Sequence, residues 1–151
     1  MAKQLRTEVE VAASPDQVWE VLTDFAAYRH WNPFIVQAAG QPVAGSRLEL
    51  HLRLRGQRTT TIRPEVLEAD PGRRLRWLGR VLVPGLFDGE HRFTIEPAGP
   101  GRARLTQQEE FRGLLAPLVL AAIAKATLAS FHEMNQALKA RVEQPTHSQA
   151  P

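Results

Sequence analysis

Two late segments of the chain combine strand-like alternation with polar residues on an apolar face. One alternating face of residues 87–95 carries Phe87, Gly89, His91, Phe93 and Ile95, and one face of residues 103–111 carries Ala103, Leu105, Gln107, Glu109 and Phe111. Because successive side chains of a strand point to opposite faces, the apolar members predict that both faces turn inward. An unpartnered buried polar group costs roughly 2–7 kcal/mol. The three polar members therefore predict either mutual hydrogen bonding or a cavity that holds water or a ligand.

The remaining periodicity predicts one strand, two short helices, several strands and a long helix. Alternation predicts a first strand over residues 3–13, and Ser14, Pro15 and Asp16 form a typical helix start. A second short helix is expected over residues 26–30, before Pro33. Further strands are predicted over residues 34–39, 46–54, 58–69, 73–83, 86–96 and 102–111, separated by glycine- and proline-rich turns. Apolar residues at helical spacing predict a helix over residues 114–143.

This order of elements predicts an α+β fold. Consecutive strands with short turns indicate an antiparallel meander, whose apolar face needs a cover. The C-terminal helix, roughly 45 Å long at 1.5 Å per residue, is long enough to provide it. We expect a single domain over residues 1–143 and a flexible polar tail over residues 144–151.

Composition narrows the function classes. The 151 residues include no cysteine, which excludes disulfides, thiolate metal ligands and a cysteine nucleophile. Neither an apolar leader nor an apolar run of about 20 residues is present, so we expect a soluble, cytoplasmic protein without integral membrane association. The net charge of +3 comes from sixteen arginines and three lysines against sixteen acidic residues. The arginines alternate along the predicted strands, which indicates the solvated face of a sheet rather than a nucleic-acid interface.

Three stretches of the chain carry a family resemblance. They are VEVAASPDQVWEVLTDFAAYRHWNPF, GEHRFTIEPAGPGRARLTQQEEFRGLL, and the last helix with Phe131, Met134, Asn135 and Leu138. Together they resemble the START/Bet v 1-like (SRPBCC) superfamily, in its polyketide cyclase/dehydrase-like branch of small bacterial proteins. The resemblance implies a helix-grip fold, in which a curved antiparallel sheet of about seven strands wraps around the long helix and leaves a deep cavity. Superfamily members bind lipids, sterols, polyketides or plant hormones, some are cyclases or hydratases, and one group activates Hsp90.

His91 and Glu109 are the first site candidates. If the last two strands pair through a turn centred on Gly99, His91 lies 8 residues before that centre and Glu109 lies 10 after it. A bulge or an offset of two would make the two side chains neighbours. They would then act as an acid/base or hydrogen-bonding pair in a cavity, or as a polar pair that sets strand register. Gln107, on the same face, would bond either a ligand or a buried polar atom.

The other candidate ligand-binding residues are Trp31, Leu50, Leu52, Ile62, Trp77, Phe93, Thr127, Phe131 and Asn135. The aliphatic and aromatic strand residues among them form either a pocket wall or ordinary core. Thr127 and Asn135, on the apolar face of the long helix, suit either a wet cavity or local helix bonding. Trp31 either gates the cavity mouth or anchors the turn beside it.

Three function classes remain open. The first is binding of a small hydrophobic ligand, such as a lipid or polyketide, between the sheet and the long helix. The second is a cyclase or dehydratase, a lyase or isomerase that uses His91 and Glu109 as acid and base. The third is a protein-interaction domain similar to the Hsp90 activators. The histidines lack metal-ligand spacing and no phosphate loop is present, so we expect neither metal nor cofactor. A homodimer is compatible with the pattern but not required by it.

Overall fold

Eight strands, three α-helices and a short 3-10 helix (Phe25–Ala27) make up the computed structural model, which describes residues 3–54, 57–81 and 85–144. In chain order the strands and α-helices are β1 (Lys3–Val11), α1 (Pro15–Thr23), α2 (Tyr28–Trp31), β2 (Ile35–Ala39), β3 (Glu49–Leu52), β4 (Thr60–Ile62), β5 (Glu65–Asp70), β6 (Arg74–Val81), β7 (Phe87–Pro97), β8 (Ala103–Arg112) and α3 (Ala116–Val142). The α+β class and the long C-terminal helix are therefore confirmed. The expected tail, from residue 145 on, and the predicted end of the strand over residues 73–83 lie outside the described residues.

The strands form two antiparallel sheets, one of five strands in the order β1-β8-β7-β6-β5 and one of three in the order β2-β3-β4. The segment predicted as one strand over residues 58–69 is two strands. Pro64 lies between them, and a proline cannot donate to a strand ladder. Beside this break the sheets are joined by a bridge between Arg47 and Glu65 and by the hydrogen bond from Val66 N to Ser46 O, 2.8 Å. The chain thus passes from the small sheet to the large one at Pro64.

The first helix starts where its capping residues predict. Ser14 Oγ accepts a hydrogen bond from the Gln17 amide nitrogen, and Gln17 Oε1 accepts one from the Ser14 amide nitrogen. This capping box satisfies two donors that a helix start leaves free. Val18 and Leu22 are fully buried and hold α1 against the core.

The hairpin of β7 and β8 places His91 directly opposite Glu109. Pro97 pairs with Ala103, so the loop is centred on Pro100 and not on Gly99, the centre expected from the sequence. His91 and Glu109 are therefore cross-strand neighbours without the bulge or the offset of two that a turn centred on Gly99 would require. A hydrogen bond from Ala98 N to Arg102 O, 2.9 Å, closes this loop.

The long helix α3 lies against β1 and β8 and contacts α1. Its 27 residues span about 40 Å, with Pro117 in the first turn, where no amide donor is needed. Phe131, Met134 and Leu138 are fully buried on its sheet-facing side. Among the described helices, none is both long and apolar enough to cross a lipid bilayer.

Candidate functional site

A continuous chain of side-chain hydrogen bonds runs through the interior. His91 Nδ1 lies 3.0 Å from Glu109 Oε1, and His91 Nε2 lies 2.9 Å from Gln107 Oε1. Gln107 Nε2 donates to Asn135 Oδ1 at 2.8 Å, and Asn135 Nδ2 donates to Thr7 Oγ1 at 2.9 Å. Apart from Glu109, these residues are at most 4% exposed. The chain therefore satisfies a buried polar cluster and ties α3 to three strands of the large sheet.

The partners of Gln107 determine which atoms carry hydrogen. Its Nε2 faces Asn135 Oδ1 and, at 3.5 Å, the backbone carbonyl of Phe131, so this nitrogen donates. Its Oε1 is left to accept the Nε2–H of His91. His91 Nδ1 and Glu109 Oε1, 3.0 Å apart, are within hydrogen-bond distance, so a hydrogen lies between these two atoms. His91 and Glu109 thus form a hydrogen-bonded pair whose orientation is set by Gln107.

A cavity of about 220 Å³ lies between the sheets and α3, and His91 and Glu109 form part of its wall. Most of the wall is apolar: Phe34, Ile35, Leu52, Leu54, Ile62, Trp77, Phe87, Phe111 and Ile123. Gln57, Arg58 and Thr60, which are exposed, lie at the rim. The site is thus an apolar space with a polar pair in its wall.

Aromatic rings hold the imidazole of His91 in place. Trp77, directly opposite on β6, stacks on it with ring centroids 5.3 Å apart, and Phe131 meets it edge-on at 5.0 Å. Both ring nitrogens are already hydrogen-bonded. The orientation of His91 is therefore fixed by contacts within the protein.

Two glycines face each other in the cavity wall. Gly79 on β6 pairs directly with Gly89 on β7, and both line the cavity. Neither has a positive φ, so their backbone conformation would accept a larger residue. Glycine in a strand interior often marks a close approach of another group. The pair leaves a bare stretch of backbone beside His91 and Glu109.

The structure divides the sequence candidates into three groups. On the cavity wall lie Leu52, Ile62, Trp77, His91, Glu109 and Thr127. Fully buried behind that wall lie Leu50, Phe93, Gln107, Phe131 and Asn135. Trp31 is half-buried and packs edge-on against Tyr28 at 5.1 Å, outside the described cavity lining. Contact of any of these residues with a ligand stays a prediction.

Sequence reasoning did not propose several lining residues, although the pattern contained some of them. Phe87, Gly89 and Phe111 belong to the same inward faces as His91 and Glu109, and the rings of Phe87 and Phe111 stack at 5.5 Å. Ile123 is one of the apolar residues that recur at helical spacing along α3. The sequence pattern gave no comparable indication for five other lining residues, because their position at the cavity depends on how the two sheets meet: Phe34, Ile35, Arg58, Gly79 and Arg80.

Ion pairs link arginine and glutamate side chains across the outer face of the large sheet. Arg76 contacts Glu68 and Glu90, both at 2.8 Å, and Arg92 also donates to Glu90. Partial burial, the largest single effect, would raise the pKa of Glu90, but the hydrogen bonds and positive charges of Arg76 and Arg92 together outweigh it, so the pKa lies below its usual value. These arginines bond within the chain, so they give the interaction-domain alternative no specific support. Within the described residues, His, Asp and Glu form no cluster of three that could hold a metal ion.

Solved structures share the fold along nearly the whole chain. A START superfamily protein from Mycobacterium smegmatis is 26% identical with a TM-score of 0.72, covering 93% of this chain and 97% of its own. An aromatase/cyclase from a Streptomyces species is 18% identical with a TM-score of 0.71, covering 95% and 98%. Norcoclaurine synthase from Thalictrum flavum, solved with dopamine and hydroxybenzaldehyde, is 15% identical with a TM-score of 0.71, covering 94% and 87%. The last two identities show a common fold alone.

The sequence comparisons define the family. No curated protein matches the chain at a significant level. A family model described as polyketide cyclase/dehydrase and lipid transport matches residues 2–143. That range includes all of β1 to α3, with the cavity and its polar pair. The resemblance noted from the sequence is confirmed, and the chain belongs to the polyketide cyclase/dehydrase and lipid transport family, with the helix-grip fold of the START/Bet v 1-like superfamily.

Proposed function

We propose that this protein binds a small hydrophobic ligand in the cavity between the sheets and α3, with a polar group of the ligand next to His91 and Glu109. The observation that carries the proposal is the combination of a largely apolar wall with that polar pair. Family membership supports a ligand-binding or cyclase role.

The size of the cavity suits a ligand of one or two rings or a short chain. A dry apolar cavity of about 150 Å³ holds benzene, and this one measures about 220 Å³. Each Å² of apolar ligand surface removed from water contributes about 25 cal/mol to binding. Gln107 and Trp77 already hold the polar pair in one orientation, so the pair can orient a ligand with little further loss of side-chain entropy.

A cyclase or dehydratase activity is the second candidate, favoured by the hydrogen-bonded pair of His91 and Glu109 on the cavity wall. The carboxylate is 18% exposed, on the cavity wall, so it can reach a ligand, whereas the imidazole is 4% exposed and supports it. Acid–base catalysis also needs a group that stabilises developing charge. The hydroxyl of Thr127 already donates to the Ile123 carbonyl, and Arg58 lies at the rim. Binding is therefore the better-supported function.

Native mass spectrometry of freshly purified protein, followed by identification of any extracted molecule, tests the proposal. Ile123→Trp should fill the cavity from α3, while Ala122→Trp adds the same side chain at an exposed neighbouring position. We expect the extracted molecule with the wild type and Ala122→Trp, and its loss with Ile123→Trp. Equal retention by both variants, or empty wild-type protein that binds no hydrophobic probe, would contradict the proposal.

The same extracted molecule separates binding from catalysis. If the protein converts it, His91→Ala and Glu109→Ala should each lower turnover by about 10²–10⁴-fold, the usual contribution of general acid–base catalysis. If the protein is a carrier, the wild type binds and releases the molecule chemically unchanged. The two substitutions then weaken its affinity, and no turnover is measured for any of the three proteins.

A further inference from the structure

The carboxylate of Glu109 uses one oxygen within the protein and leaves the other available. Oε1 contacts His91 Nδ1 at 3.0 Å, while Oε2 has no hydrogen-bond partner among the described residues. The side chain lies on the cavity wall and is 18% exposed. A ligand in the cavity therefore meets Oε2 rather than Oε1.

The hydrogen-bond chain determines the character of that free oxygen. Because His91 Nε2 donates to Gln107, one proton lies between His91 Nδ1 and Glu109 Oε1. If His91 holds that proton, Glu109 is a carboxylate, and if Glu109 holds it, the hydrogen is on Oε1. Oε2 carries no hydrogen in either state, so it is an acceptor in both.

We propose that the cavity selects a ligand whose inner end donates a hydrogen bond to Oε2 of Glu109, such as a hydroxyl, phenol or amine, and disfavours an inner carboxylate. This inference rests on the proposed binding function and specifies the ligand's head group. An ionised carboxylate would bring a second acceptor, and a second negative charge when Glu109 is ionised, against Oε2 without a proton between them. An apolar end would leave Oε2 desolvated and unpaired.

Gly89 is the positioning residue for this oxygen. A Cβ atom at position 89 would lie 2.5 Å from Glu109 Oε2, far inside van der Waals contact. At Gly79, directly opposite, a Cβ would meet nothing closer than 3.8 Å, the distance to Ile62 Cδ1. Both glycines have ordinary strand conformations, so space rather than backbone freedom distinguishes them. An alanine at position 89 should displace the carboxylate, whereas an alanine at position 79 should leave it in place.

Cations at the rim offer a carboxylate another place to bind. Arg58 and Arg80 both line the cavity near its mouth, and Arg80 is half exposed with Asp88 at 3.9 Å. An acid with its ring inward and its carboxylate at these arginines would bind without using Glu109. The test therefore compares head groups and also measures how far each depends on Glu109.

The first experiment uses wild-type protein and three probes of one ring size: naphthalene, 2-naphthol and 2-naphthoate at neutral pH, by titration calorimetry. We expect 2-naphthol to bind about 5- to 10-fold more tightly than naphthalene, the value of one net hydrogen bond. We expect 2-naphthoate to bind no more tightly than naphthalene, with an affinity that does not fall in Glu109→Ala. The inference would be overturned if 2-naphthol bound no more tightly than naphthalene. It would also be overturned if 2-naphthoate bound as tightly as 2-naphthol and its affinity fell in Glu109→Ala. Failure of all three to bind would overturn the cavity function itself, and the inference with it.

The second experiment tests Gly89 through the ratio of naphthol to naphthalene affinity. Gly79→Ala should keep the wild-type ratio, even if the smaller cavity weakens both probes, while Gly89→Ala should reduce it to about 1. In a Glu109→Ala background, adding Gly89→Ala should change neither the ratio nor the stability. A wild-type ratio in Gly89→Ala, or an effect that persists without Glu109, would show that Gly89 does not position the carboxylate. Because the probe comparison uses wild-type protein, the head-group inference is tested even if Gly89→Ala does not fold.

Discussion

Replacing Gln107 with leucine is expected to lower the free energy of unfolding by about 2–6 kcal/mol. The substitution conserves approximate size but leaves the Nε2–H of His91 and Oδ1 of Asn135 without their partner. These residues are 3% and 1% exposed, so water does not replace it. Each buried polar group left unpaired costs about 1–3 kcal/mol, and a domain is typically stable by about 5–15 kcal/mol. The loss is therefore a large part of the total stability.

Gln108→Leu is the matched control for this prediction. It makes the same chemical change one position along β8, where the side chain points to the outer face of the sheet. We expect it to alter stability by no more than about 0.5 kcal/mol. Urea titrations followed by circular dichroism give both values. A loss below about 1 kcal/mol for Gln107→Leu would refute the idea that Gln107 completes the buried hydrogen-bond chain.

The double variant Gln107→Leu/Asn135→Leu sharpens the same test. When both partners become apolar, fewer unpaired groups remain than in the two single variants taken together. The combined loss should therefore be smaller than the sum, by about 1–3 kcal/mol. Strict additivity would mean that Gln107 and Asn135 stabilise the fold independently.

Three further substitutions test the framework around the site. Glu143→Ala removes the carboxylate that accepts a hydrogen bond from the Ala12 amide at 2.6 Å and should lower the free energy of unfolding by about 1 kcal/mol. Because that hydrogen bond lowers the pKa of Glu143, the difference in stability between variant and wild type should be largest at neutral pH and should disappear as acid protonates the wild-type carboxylate. Urea titrations at several pH values measure this difference. Gly113→Ala should destabilise far more than Gly99→Ala, since φ is +117° and +115° respectively but only at position 113 does a Cβ meet backbone atoms, at 2.5 Å; equal thermal midpoints for the two variants would contradict this. Ser14→Ala should cost about 1 kcal/mol in thermal unfolding and Ser14→Gly only a few tenths, because glycine tolerates the cap position; equal losses would mean that the capping hydrogen bond contributes little.

Local periodicity was sufficient to predict most elements of the fold and the inward direction of the polar residues. Alternation has a period of two whatever the strand pairs with, so His91, Gln107 and Glu109 could be placed on the inner face. The split at Pro64 was not predicted, although a proline within a strand pattern indicates a break. The pairing register was not predicted correctly, because the centre of the loop was assigned to Gly99 and lies at Pro100.

The partners within the site could not be derived from the pattern. Gln107 bonds Asn135, 28 positions away, and Asn135 bonds Thr7, 128 positions away. Helical spacing places Asn135 on the correct face of α3 but does not say where along the sheet the helix crosses. The cavity depends on the same relation, because the separation between α3 and the sheet decides which side chains meet and which leave space.

The two ends of helix α3 have different surroundings. Ile123 and Thr127, in its earlier turns, face the cavity, whereas Met134 and Leu138, in its later turns, are fully buried in the core. Truncating a buried methionine or leucine to alanine typically costs about 2–5 kcal/mol, so the later turns tolerate little change. The earlier turns border open space, where a different side chain changes the shape of the cavity more than the stability of the domain. Substitutions in the earlier turns of α3 could therefore reshape the cavity while the later turns, which support the fold, are left unchanged.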